Sequence, residues 1–321
     1  MDERRRQLHA WLLERCGAAH MTPASDDASF RRYFRVRTRE GTFIAVDAPP
    51  GKEDCRPFAT VTQMLEAVGL NVPHVYAYDF DAGFLLLGDL GADLYLHRLD
   101  DTSAARLYGD ALAALLKIQT VDAGTLPRYD NAMLMREMEL FRQWYLSEHS
   151  GLRLGEERDA TLTGVFENLA RAALAQPQVF VHLDYHSRNL MVTHENNPGI
   201  LDYQDAVRGP VTYDLVSLLR DCYIAWPRSQ VIDWTLSYRD RLTAHGIVDT
   251  VDDATFLQWF DLMGVQRHLK AAGIFARLNH RDGKSGFLKD IPRTLNYIRE
   301  VAPRYSQTSA LPELLSELGV T

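Results

Sequence analysis

The stretch FVHLDYHSRNLMV, residues 180–192, sets His182, Asp184, His186 and Asn189 within eight positions, with apolar runs on both sides. Phe180 and Val181 before it, and Leu190, Met191 and Val192 after it, belong in a core. Polar groups brought that close to a core must find partners. The segment therefore reads as a loop at a core edge, with strand-like residues leading out of it. LMV and GILDY are short strands, and THENNPG between them is rich in turn residues. Closing that hairpin folds Asp202 back toward Asn189 and Asp184. A polar cluster in such a place is hydrogen-bonded structure, a metal site or a catalytic loop.

The texture of the chain changes around this segment. Leu8, Trp11, Leu12 and Cys16 recur at helical spacing and open the chain with an amphipathic helix. FRRYFRVRT and TFIAVDAP, separated by the turn signal REG, read as a hairpin that ends at Pro49, Pro50 and Gly51. A helix over 56–68 and strands within VPHVYAYD and GFLLLGDLG complete a small sheet by Leu90. Helices then take over. Leu107, Ala111, Leu115 and Ile118 share one face, with Asp101 and Thr102 as caps, and Leu134, Met138, Phe141 and Tyr145 form another. The aromatic run Trp226, Trp234, Tyr238, Trp259 and Phe260 reads as core packing. The expected fold class is α+β, with a β-rich N-terminal lobe over 1–91 and a larger helical lobe over 92–321.

At 321 residues the chain is long for one core and suits two lobes. Its net charge of −8, with no block of like charge, argues against a nucleic-acid partner, which needs a basic face. Cys16, Cys55 and Cys222 are scattered and odd in number, which points to a reducing compartment. Glu14 and Arg15 interrupt the N-terminal apolar run, so it is not read as a signal peptide. No stretch approaches the ~20 apolar residues that span a bilayer. The expectation is a cytoplasmic monomer with neither membrane nor nucleic-acid partners.

One amide and two acids converging at a cleft floor suit phosphoryl transfer. A hard cation takes oxygen ligands from an Asp and an Asn against nucleotide phosphates, while the other Asp accepts the proton of the attacking hydroxyl. A metal-dependent hydrolase is the competing reading, because a continuous strand would set His182, Asp184 and His186 on one face. A catalytically silent nucleotide binder is the third.

HLDYHSRN followed by ILDYQD resembles the H-x-D-x-x-x-x-N and downstream aspartate motifs of the aminoglycoside phosphotransferase family. The resemblance implies a bilobal, protein-kinase-like fold with the active site between the lobes, ATP and magnesium as cofactors, Asp184 as catalytic base, and Asn189 and Asp202 as metal ligands. DDASFRRYFRV, VDAPPGKEDCRPF and GVQRHLKAAGIFARLNHRDGKSGFLKDIPRTLNYI extend it to the anomeric amino-sugar kinases of that family. These imply phosphorylation of the C1 hydroxyl of N-acetylmuramate or N-acetylglucosamine in cell-wall recycling; another small alcohol such as choline or an aminoglycoside is the near alternative.

The chain departs from the kinase pattern at the third strand, which carries Asp47 where a lysine is expected, and Glu66 falls too late to be its partner. Ala28, Ser29, Phe30, Arg32 and Lys52 are therefore the candidates for the nucleotide phosphates. His186, Asp205 and Arg267 are candidates for the sugar, Arg267 because its fork suits a lactyl carboxylate. His182 is read as a structural brace, Asp214 as a helix cap, and RHLK, at 267–270, as a solvated helix end unless Arg267 meets substrate.

Overall fold

The computed structural model describes residues 2–17, 20–25 and 31–320. The chain divides into two compact units, residues 1–111 with 188–205, and residues 112–187 with 206–321.

The first unit is built on a five-stranded antiparallel sheet. In chain order its elements are α1 (Glu3–Cys16), β1 (His20–Ser25), β2 (Arg32–Arg37), β3 (Thr42–Asp47), α2 (Arg56–Ala67), β4 (Val75–Asp79) and β5 (Phe84–Gly88). The strand order is β1-β2-β3-β5-β4. The expected hairpin forms in register, with Arg32 opposite Asp47 and Arg37 opposite Thr42; β1 was not foreseen. Because side chains alternate along a strand, the sheet has two apolar faces. Phe34, Val36, Ala45, Phe84 and Leu86 pack with Leu8, Trp11 and Leu12 of α1. Val46, Leu85 and Leu87 pack on the other side with Cys55, Phe58 and Tyr33.

The second unit wraps the 28-residue helix Asp253–His280. Helices Asn131–Leu140, Glu156–Leu174, Tyr213–Leu219 and Ile291–Val301 all pack on it, so it is buried on most sides and carries apolar residues all round. RHLK is therefore not a solvated end. Arg267, His268 and Leu269 are buried mid-helix, and burial pushes the His268 imidazole down to about 3. At Gly273 the helix meets the backbone where Asn131–Leu140 passes into the π-helical turn Phe141–His149; a Cβ at Gly273 would lie 2.3 Å from the Leu140 carbonyl carbon.

Helix Ala104–Thr120 starts where the sequence indicates. Its capping carboxylate is Asp100 rather than Asp101 or Thr102, accepting from the N–H groups of Thr102 (2.9 Å) and Ser103 (2.8 Å). No described helix is long and apolar enough to cross a membrane.

Candidate active site

The amide and one acid of the motif meet within the first unit. Strands Leu190–Met191 and Gly199–Ile200 pair antiparallel, Leu190 opposite Ile200, and the Leu201 N–H donates to the Asn189 carbonyl at 2.9 Å. This hairpin belongs to the first unit because it docks there. Ile200 N–H donates to Asn71 O at 2.8 Å, and Val192 N–H to Asp93 O at 2.7 Å. Asn189 Nδ2 then donates to Asp202 Oδ2 at 3.3 Å, and Gln204 Nε2 donates to Asp202 Oδ1 at 2.8 Å. The expected return of Asp202 to Asn189 is thus realised.

Asp202 has φ 64°, a left-handed conformation in which Asp is several-fold commoner than most non-glycine residues. Tyr203 fixes the turn. It is fully buried, stacks on Phe58 of α2 at 5.0 Å, and has its hydroxyl 2.9 Å from Thr62 Oγ1. The donor set suits magnesium. Asn189 turns its nitrogen to Asp202, so the atom it would lend a cation is its amide oxygen. Gln204 Oε1 is buried with no hydrogen-bond partner among the described residues. Amide oxygens around one carboxylate are the hard ligands that Mg²⁺ accepts beside phosphate and water.

Asp184 lies in the second unit, in the loop after strand Gln178–Val181, which pairs antiparallel with Val207–Pro210. The strand ends at Val181, so His182, Asp184 and His186 do not share a strand face, and the geometry assumed for a hydrolase is absent. No group of three or more metal-ligating side chains forms among the described residues.

Three buried groups hold this loop. Asp214 Oδ2 accepts from His182 N at 2.7 Å and its Oδ1 from Leu183 N at 3.0 Å. Asp221 Oδ2 accepts from Ser187 N at 3.0 Å and Ser187 Oγ at 2.5 Å. The Asp184 N–H donates to His182 Nδ1 at 3.2 Å, so the bracing role expected of His182 is what its ring performs. Leu183 sits at φ 77°, an uncommon conformation for a bulky residue that persists where surrounding bonds over-determine it. Asp214 was expected to cap the helix that it begins. Its carboxylate instead serves the 182–183 backbone, because both its oxygens are buried facing those two N–H groups.

Burial alone would raise the Asp184 carboxyl. That is the largest single influence, but Lys270, His186, Arg267 and His182 together outweigh it, and the group is held below its ordinary value. Asp184 is therefore ionised at neutral pH, the state a proton acceptor needs. Lys270 stands mid-helix with Nζ 2.8 Å from Glu137 Oε1 and donates to the Tyr213 hydroxyl at 3.0 Å. Burial opposes the ammonium, but Tyr213, Glu137 and Asp184 overcome it and raise its pKa. The sequence reading missed Lys270 and Glu137. For Lys270 a signal was available, since apolar residues flank it throughout GVQRHLKAAGIFARL and a charge within a buried helix must find a partner; nothing local marked Glu137.

The remaining candidates are dispersed. Arg32 is engaged by Asp2 and by the fully buried Asp47, which Arg4 also holds. Lys52 is exposed on the turn closed by its own N–H to Pro49 O at 3.1 Å. Ala28, Ser29 and Phe30 lie outside the described residues. His186 packs edge-on against Tyr223 at 5.4 Å, Asp205 is exposed and accepts from Gln204 Nε2 at 3.2 Å, and Arg267 is buried with Nη1 3.7 Å from Cys222 Sγ.

The fold and the ordered motif define a class. Residues 20–246 match the phosphotransferase enzyme family, and the chain belongs to that family. Aminoglycoside 2'-phosphotransferase-IIIa, solved as its GDP complex, has the same fold, with a TM-score of 0.65 at 14% identity, covering 92% of this chain and 99% of that one. Within the family, the chain is 46% identical to the N-acetylmuramate/N-acetylglucosamine kinase of Pseudomonas aeruginosa and 45% identical to that of Pseudomonas putida. Both matches span 99% of this chain and 97% of the relative.

Proposed function

We propose that the chain is an ATP- and magnesium-dependent kinase that phosphorylates the anomeric C1 hydroxyl of N-acetylmuramate and N-acetylglucosamine, in cell-wall recycling. The observation that carries this reading is near-full-length identity to relatives bearing that kinase name, together with Asp184, Asn189 and Asp202 intact and in order. The enzyme acts in the cytoplasm as a monomer, with a nucleotide lobe over 1–91 and a catalytic lobe over 92–321.

Asn189 and Asp202 hold the metal, which when bound supplies charge neutralisation at the phosphates. Asp184 orients the sugar hydroxyl and takes its proton as the hydroxyl oxygen bonds to the γ-phosphorus of ATP and the bond to the departing ADP breaks; its depressed pKa keeps it ionised as an acceptor, and Lys270 contributes to that state. Ala28, Ser29, Phe30, Arg32 and Lys52 are the residues assigned to the nucleotide phosphates. His186, Asp205 and Arg267 meet the sugar, Arg267 matched to a carboxylate by its planar fork.

Phosphorus NMR of the product tests the reading, after incubation with Mg-ATP and a panel of N-acetylmuramate, N-acetylglucosamine, galactose, choline and kanamycin. A sugar 1-phosphate from the two amino sugars is expected. A phosphoester formed only on another panel member would overturn the substrate, and none with any member would overturn the kinase reading.

A further inference from the structure

The phosphate-side cation is the part of a kinase site that β3 does not supply. Ile44 and Val46 are the β3 side chains on the α2 side of the sheet, and both are apolar. Asp47 sits at the end of the strand, where Arg4 and Arg32 neutralise it. A cation does stand on the α2 side, one residue before β2.

We propose that Arg31, positioned by Glu53, supplies the cation for the nucleotide phosphates that a strand lysine supplies in protein kinases. The inference rests on the reading of the chain as an ATP user and names the residue that reading leaves unassigned.

The geometry is contained within the first unit. Arg31 Nη2 lies 3.1 Å from Glu53 Oε2, its Nε donates to the same oxygen at 3.2 Å, and the two side chains are only 13% and 17% exposed. A surface pair would be worth little, whereas this one is largely withdrawn from water and held from two atoms. Arg31 lines a small hollow with Tyr33, Val46, Asp54, Cys55, Phe58 and Leu85. One wall of that hollow is tied to the metal-binding turn, because Phe58 stacks on Tyr203, next to Asp202. The same ring that borders the guanidinium thus fixes the carboxylate assigned to magnesium. Arg31 also directly follows Ala28, Ser29 and Phe30 in the chain, candidates for the same phosphates. An arginine suits the role, because a guanidinium can meet a carboxylate along one edge and phosphate oxygens along another. Glu53 would play the part of the helical glutamate in the kinase pair, from the loop before α2.

The test is calorimetric binding of ADP and of adenosine to the full chain and to Arg31→Gln, Arg31→Lys and Glu53→Gln, with Arg56→Ala as an exposed arginine control. Arg31→Gln is expected to weaken ADP about 10- to 100-fold, the scale of one charge-assisted hydrogen bond, and to leave adenosine affinity unchanged. Arg31→Lys should recover part of the loss, and Glu53→Gln should weaken ADP less than Arg31→Gln. Equal losses for ADP and adenosine would mark Arg31 as a structural brace and overturn the proposal, as would wild-type ADP affinity in Arg31→Gln. A wild-type chain that binds neither ligand would remove the ATP reading itself, and this inference with it.

Discussion

Asp214→Asn is the substitution that separates an anchored loop from one that merely packs. The wild-type carboxylate accepts two backbone N–H groups, His182 at 2.7 Å and Leu183 at 3.0 Å, and is fully buried. Asparagine keeps one acceptor oxygen and turns an NH2 toward the other N–H. One hydrogen bond is lost and a buried donor is left unmet, together costing about 2–4 kcal/mol. The same change loosens Leu183, whose left-handed φ sets the direction from which Asp184 leaves the backbone. A displacement near 1 Å at the reacting group costs on the order of 100-fold in rate. Urea unfolding and initial-rate kinetics measure both effects. Stability within about 0.5 kcal/mol of wild type, with kcat unchanged, would refute the view that Asp214 holds the loop.

Burial pushes the Asp214 carboxyl from an ordinary 3.8 up to about 7, against the two N–H groups that favour its charged form. Between those values the folded chain keeps a proton that the unfolded chain releases. Its contribution is therefore fully present below pH 4 and is lost as pH rises toward 7, at ~1.4 kcal/mol per pH unit. Stability measured across that window should fall relative to Asp214→Asn, and parallel curves would contradict it. Asp184→Asn should collapse kcat while leaving ATP binding largely intact, since a base acts in the chemical step; near-normal turnover would reassign the base. Asp202→Asn should raise the magnesium concentration needed for half-maximal rate, read from a metal titration at fixed ATP. Lys270→Met removes the leading cation that depresses the Asp184 pKa, so the acidic limb of kcat/KM should move to higher pH; an unmoved limb would show that Lys270 does not act on the base. Gly273→Ala forces a methyl onto the Leu140 backbone and should cost about 3 kcal/mol, measured by urea unfolding.

Local pattern carried much of this protein. The hairpin over 190–200 was legible because turn residues separate two short apolar runs, and its closure brought Asp202 to Asn189 within 3.3 Å. The β2–β3 hairpin, α1, α2 and the start of the 104–120 helix followed from period and punctuation, signals that act within a few residues. The order of Asp184, Asn189 and Asp202 likewise needed no tertiary information.

What sequence alone did not reveal was the partner of each buried charge. Asp214 reads as a cap because Asp beside a helix start usually is one; the N–H donors it actually serves lie 31 and 32 residues back, and only packing shows them. RHLK reads as a charged helix end until the neighbouring helices close around it. Arg31 and Arg32 are adjacent and chemically identical, yet one pairs with Glu53 near α2 and the other with Asp47 and Asp2. Strand alternation says that they part, but not which face holds the phosphate-side hollow. The residue types and spacing determined which groups of this chain can do chemistry. The tertiary structure decided which charges face one another, because Coulombic and hydrogen-bond energies depend on distance and burial, and neither is a property of position along the chain.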